Sequence, residues 1–167
     1  LKTIALPTKL ETIGDRAFAN CTNLTSSGDP NAFVIPSTVK AIGSAAFSGC
    51  SKISQLQLPI GITSIQSSTF ENCSSLQGSG SDSLTAFALP SSVSIIQSSA
   101  FRGCSALVSI SLPSNLSSIE ASAFEGCTSL KTTALNSNFH IPDSVKTLGA
   151  SAFAGCSSLT SVKLPAS

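Results

Sequence analysis

The sequence predicts a solenoid: short coils stacked on one another, each giving one strand to a parallel β-sheet. Three observations predict it. One phrase recurs six times, as "RAFANCTNL", "AAFSGCSKI", "STFENCSSL", "SAFRGCSAL", "SAFEGCTSL" and "SAFAGCSSL". A proline stands eleven residues before the phenylalanine of every phrase, at 7, 36, 59, 90, 113 and 142, and Pro165 begins another unit. From that proline to the Leu or Ile closing the phrase the length is always the same, so the repeat has a rigid part and a variable part. A unit this short cannot bury its own apolar face, whereas stacked units share one interior.

The elements follow in order around one coil. "LTSVKLP" (159–165) alternates apolar with small polar residues and reads as a short strand. Proline cannot donate to a sheet ladder, so it ends that strand at a corner. Next comes "SVKTL" (144–148), a second short strand or 3-10 segment, with Ile13, Ile42, Ile65, Ile96, Ile119 and Leu148 as its inward column. The segment "GASAFAGC" (149–156) is expected to make one helical turn. It drops a core ladder inward: Phe18, Phe47, Phe70, Phe101, Phe124 and Phe153, followed by Cys21, Cys50, Cys73, Cys104, Cys127 and Cys156. The residue before each Cys is Asn20, Gly49, Asn72, Gly103, Gly126 or Gly155. Asn and Gly reach the left-handed region most easily, so a tight left-handed corner is expected there in every coil.

Written as one line, the unit is L-x-x-L-x-L-P-x-x-V-x-x-I-x-x-x-A-F-x-G-C-x-x-L. It resembles the leucine-rich repeat, and its proline after the strand and "AF-x-x-C-x-x-L" tail resemble the BspA-like leucine-rich repeat family. The resemblance covers the whole chain. It implies a leucine-rich-repeat solenoid over residues 1–167, a single array of six repeats. It also implies a surface or extracellular location, as in bacterial and protist relatives, and a role in attachment to host proteins, other cells or matrix.

A longer period lies over the short one. The proline spacings run 29, 23, 31, 23, 29, 23, so the true unit is a double repeat of 52–54 residues. Every second coil carries an insertion: "TSSGDP", "QGSGSDSL" and "KTTALN". After each, the strand opens on Phe33, Phe87 or Phe139, expected to fill space under the extra loop. The insertions are expected to line one rim, with Ser27, Asp29, Asn31, Ser81, Asp82, Asn136 and Asn138 as candidate interaction residues.

Composition narrows the function. Net charge is +1 and 10% of residues are charged, with lysines scattered, so the clustered cations of a nucleic-acid binder are missing. No apolar run approaches the roughly 20 residues of a membrane span. The 35 serines would suit disorder, but the apolar residues are too regularly placed for that. The cysteines lack CxxC-type clusters, and one inward column of small thiols suits free buried side chains better than zinc or disulfides. His140 is the only histidine, placed outward with no nucleophile or carboxylate attached to it. Asp29 and Asp82 offer too few oxygens for calcium. Glu71 and Glu125 read as solvated surface in different coils. No catalytic, cofactor or metal residues are therefore assigned, and an enzyme is not expected. Four sequons, at Asn20, Asn23, Asn72 and Asn115, are candidate glycosylation sites, although Asn20 and Asn72 are already accounted for by the corner column.

The outward strand positions are small and mostly uncharged: Ala32 and Val34, Gln55 and Gln57, Ala88, Ser111 and His140 among them. Such a face suits broad, weak, multivalent contact better than one tight partner. The expected function is a non-enzymatic interaction or adhesion module for proteins or glycans at a cell surface or matrix. The alternative is a building block of an extracellular filament or coat. The chain starts and stops in the same phase without polar capping repeats, which predicts either a segment of a longer array or ends that stack on other copies.

Overall fold

The computed structural model describes residues 1–29, 32–78, 86–133 and 139–165. Among these residues are the expected coils, built from thirteen very short strands. The strands before the prolines are β2 (Phe33–Val34), β4 (Leu56–Gln57), β6 (Phe87–Ala88), β8 (Ser109–Ser111), β11 (Phe139–His140) and β13 (Val162–Lys163). The second set is β1 (Thr12–Ile13), β3 (Ala41–Ile42), β5 (Ser64–Ile65), β7 (Ile95–Ile96), β9 (Ser118–Ile119) and β12 (Thr147–Leu148). All pairings are parallel, and the register is the sequence columns themselves: Ile13 faces Ile42, and Ile65, Ile96, Ile119 and Leu148 align in turn.

The interior is one cluster in which the Phe, Cys, Leu and Ile columns meet. Rings stack along the array: Phe18 on Phe47 at 5.2 Å, then Phe70 at 5.8 Å, Phe101 at 5.4 Å, Phe124 at 5.3 Å and Phe153 at 5.3 Å. The three extra phenylalanines meet this column edge-on, Phe33 against Phe47, Phe87 against Phe101 and Phe139 against Phe153. At the two ends the columns open: Phe18, Cys21 and Phe153 are half-buried, and Leu148 and Leu164 are exposed.

Two features explain the double period. The first is an added rung. Each insertion begins by extending the sheet beside the preceding strand, through the bridges Thr3 to Ser26 and Gln55 to Gly78 and through β10 (Thr132–Thr133) on β8. The strand side thus gains a rung every second coil, while the ring column keeps its spacing. The second is a hydroxyl clamp. Thr38, Ser92 and Ser144, two residues after the proline of each even coil, donate back to Leu10 O (2.7 Å), Ile62 O (2.6 Å) and Leu116 O (2.6 Å). The odd coils carry Lys9, Gly61 and Asn115 there and lack that donor geometry.

One expectation is corrected. No described residue is helical, and the Phe segment is a run of tight turns. Within a coil, amides reach back three residues, as in Ala100 N to Gln97 O (3.2 Å), Arg102 N to Ser99 O (3.1 Å) and Cys104 N to Phe101 O (3.1 Å). The intervening amides point along the stack instead: Ser99, Phe101 and Gly103 donate to Ala121, Ala123 and Glu125 of the next coil at 2.7–3.0 Å. The i, i+3 spacing of Phe, Cys and Leu imitates a helix, but a helix would use every amide internally. Here half of them bind coil to coil, which a thin stacked coil needs.

Candidate interaction surface

The turn face is built from two left-handed residues per coil. The predicted corner has φ of 60° at Asn20, 74° at Gly49, 58° at Asn72 and 72° at Gly103, Gly126 and Gly155. A second left-handed residue lies four positions earlier, at Arg16, Ala45, Ser68, Ser99, Ser122 and Ser151, with φ of 53–58°. No glycine marks it, so the sequence does not reveal it. Non-glycine residues hold that conformation at a cost of about 1–2 kcal/mol each, offset by the ladder bonds on either side. The corner column also has a lock. A Cβ at Gly49 would come within 2.6 Å of Asn20 Oδ1, and one at Gly103 would strike Asn72 Oδ1. Asparagine in an odd coil therefore requires glycine in the even coil above it. Asn20 and Asn72 are exposed but serve as corner residues whose amides lie over that notch.

The cysteines have a structural task. Five of the six thiols donate to the carbonyl of the preceding coil's phenylalanine: Cys50 to Phe18 O (3.1 Å), Cys73 to Phe47 O (3.2 Å) and Cys104 to Phe70 O (3.1 Å), with Cys127 and Cys156 repeating the contact. All six are free thiols. Burial, reinforced by the neighbouring thiol Cys21, pushes Cys50 up to about 12. Burial also raises Cys73, Cys104, Cys127 and Cys156. These five thiols are held in the unreactive form, since the thiolate is the reactive one. Among the described residues there is no group of three or more His, Cys, Asp or Glu that could hold a metal ion. No helix of the described residues is long and apolar enough to cross a membrane.

The outer surface differs from expectation in four places. Glu71 and Glu125 are not isolated: Arg102 lies between them, 3.2 Å from Glu71 Oε1 and 3.5 Å from Glu125 Oε2. Consecutive coils bring the same column together, which linear spacing conceals. His140 is only half-exposed and its Nδ1 is buried without a hydrogen-bond partner. Ala32 (4% exposed) and Gln55 (8%) are buried rather than outward, because both stand where an insertion joins the sheet. Ser27 is half-buried, and its hydroxyl donates to Val34 O and accepts from Val34 N, both at 2.7 Å. That one side chain thus replaces a missing strand neighbour. Asp29 is exposed at the same insertion. The other rim candidates, Asn31, Ser81, Asp82, Asn136 and Asn138, lie outside the described residues. Of the remaining sequons, Asn23 Oδ1 accepts from Lys52 Nζ at 2.9 Å, and Asn115 is exposed at the tip of a turn.

The strands before the prolines also present an outward face, alongside the exposed positions Thr12, Ala41 and Thr147 of the second strand set. Ala5, Gln57, Ala88 and Lys163 are exposed on it, and Val34, Ser111 and His140 half-exposed. It is in register from strand to strand, as Phe33–Val34 on Leu56–Gln57 and Phe87–Ala88 on Ile110–Ser111 show.

Comparison with known proteins agrees with this geometry. The family described as BspA type Leucine rich repeat region matches in six copies over residues 1–79 and 79–167. No curated protein matches the chain. Among solved structures, a leucine-rich repeat protein from Bacteroides ovatus is 31% identical with a TM-score of 0.81, the match covering 98% of this chain and 39% of that one. The T. pallidum leucine-rich repeat protein is 30% identical with a TM-score of 0.66, covering 95% of this chain and 78% of that one. A leucine rich cell surface protein from Faecalibacterium prausnitzii is 26% identical with a TM-score of 0.65, covering 98% and 48%. The chain thus spans well under half the length of the Bacteroides protein.

Proposed function

Because the chain belongs to the BspA-type leucine-rich repeat family, we propose that it is a non-enzymatic interaction module of a cell surface or extracellular matrix, adhering to proteins or glycans through its strand face and the adjoining insertion rim. One observation carries the reading: the phenylalanine and thiol columns are directed into the interior, where they hold coil to coil, so the stack itself is scaffold. The outer face of the strands before the prolines carries small side chains, such as Gln57, Ala88 and Ser111, with Gln57 in register with Val34 and Ala88 with Ser111. It has no Trp or Tyr anchors, and Arg102 lies on the turn face. Contacts there are individually weak and gain strength by repetition. The surface location of the Faecalibacterium relative supports the same reading.

The test is binding of the purified chain to immobilised matrix proteins and glycans, compared with a triple variant Gln57→Lys, Ala88→Lys, Ser111→Lys. The variant is expected to bind at least tenfold more weakly with its unfolding transition unmoved. Equal binding by both, or binding lost only when the chain unfolds, would refute the assignment of the strand face.

A further inference from the structure

Away from the repeat columns, one cleft gathers polar groups of a single kind. It lies at the edge of the first two coils, where the first insertion leaves the stack, and has a volume of about 410 Å3. That is within the range of small-ligand sites, about 300–1,000 Å3. Its walls are Leu1, Lys2, Asn23, Thr25 and Lys52. Lys52 Nζ donates to Asn23 Oδ1 at 2.9 Å, and Thr25 donates to Lys2 O through both its amide (2.9 Å) and its hydroxyl (3.2 Å). The first bond occupies the amide oxygen, the cleft's principal side-chain acceptor, and holds the Lys52 ammonium in place. What the walls still offer is mostly donors: the Lys2 ammonium, the free N–H groups of Lys52 and the Asn23 NH2. Among the described residues no ion pair joins a carboxylate to either lysine, and Glu71 and Glu125 are paired with Arg102.

Two cations and an amide donor, with the amide oxygen already taken, select an oxyanion. The walls offer no aromatic ring and a single leucine, so a peptide's apolar anchors would find little to fill. We propose that this cleft binds a carboxylate or sulfate group carried on an acidic saccharide. Naming a saccharide as the carrier rests on the interaction-module reading. The oxyanion site itself does not.

The experiment is an NMR titration of the full chain at constant ionic strength, following the side-chain amide of Asn23. The probes are sodium sulfate, sodium glucuronate, sodium acetate and neutral glucose. Sulfate and glucuronate should give saturable shifts, glucuronate should bind at least threefold more tightly than acetate, and glucose should do nothing. Lys2→Gln and Lys52→Gln, both at exposed positions, should weaken binding fivefold or more. Lys9→Gln and Lys40→Gln remove the same charge from the same two coils and should change nothing. Shifts that never saturate, or that respond equally to all four substitutions, would mean general charge screening and overturn the site. Acetate binding as tightly as glucuronate would overturn the saccharide. Loss of strand-face adhesion would leave the titration untouched, so the two proposals fail separately.

Discussion

Replacing Phe101 with alanine should do more than weaken the protein; it should divide it. Phe101 is fully buried, stacked on Phe70 at 5.4 Å and Phe124 at 5.3 Å, with Phe87 edge-on at 5.6 Å. Phe18 is half-buried, with one stacked partner, Phe47 at 5.2 Å, and a looser edge contact to Phe33 at 6.4 Å. A buried Phe→Ala change costs about 3–5 kcal/mol, and aromatic pairs contribute about 0.5–1.5 kcal/mol each. Three pairs and complete burial place Phe101→Ala near 5 kcal/mol, and Phe18→Ala near half of that. In a stacked array, stability is the sum of coil terms and neighbour terms, so the central change weakens two junctions at once. Against a total of about 5–15 kcal/mol, that is enough to uncouple the halves. Urea unfolding followed by circular dichroism should show one transition for Phe18→Ala and a broadened or split one for Phe101→Ala. Phe101→Leu should cost far less, because most of the buried volume is kept. If Phe18→Ala proves as costly as Phe101→Ala, or Phe101→Ala costs under about 2 kcal/mol, the ring column is not what binds coil to coil.

Three further outcomes follow from the same geometry. Gly103→Ala should lose about 2 kcal/mol or more, since its Cβ strikes Asn72 Oδ1 at a left-handed position, and Asn72→Gly in the same chain should restore part of the loss. A double-mutant cycle by urea denaturation measures that coupling, and purely additive effects would refute the lock. Ser27→Ala should cost about 1–3 kcal/mol and speed hydrogen exchange at the Val34 amide, because one hydroxyl satisfies both of that residue's backbone groups. Alkali should destabilise the fold through its thiols. Burial raises Cys50 from 9.0 to about 12, so the folded chain holds protons that the unfolded chain releases, and stability present below pH 9 is lost as pH climbs toward 12. Thermal unfolding from pH 8 to 11 should show that slope, and a Cys50→Ala, Cys73→Ala variant should show less of it.

The columns were legible because each is a fixed residue type at a fixed offset. Phe, Cys and the Leu or Ile after Cys can be aligned by eye, and the corner at Asn20 or Gly49 follows from the one property those residues share. The helical turn is the exception, because Phe, Cys and Leu three apart look the same on a helix as on consecutive turns. The earlier left-handed residue carried no signal: Ala45 and Ser68 adopt it under constraint from neighbouring coils, not by preference. Likewise the Glu71–Arg102–Glu125 contact joins residues about a coil apart in sequence and exists only once the stack forms. The added rungs were hidden for the opposite reason. The insertion residues Ser26 and Gly78 are loop-like by composition, and only the open edge beside them makes them sheet.

The turn-face ladder has a sense of direction. Fifteen amides, from Arg16, Phe18 and Asn20 in the first coil to Ser122, Phe124 and Gly126 in the fifth, all donate toward the following coil, and none donates backward. Their peptide dipoles therefore add along the stack, as those of a helix do along its axis. The column of rings could be met equally well from either side, but the ladder cannot: a coil presented upside down would set donor against donor. On this face, successive coils can therefore be stacked in one orientation only.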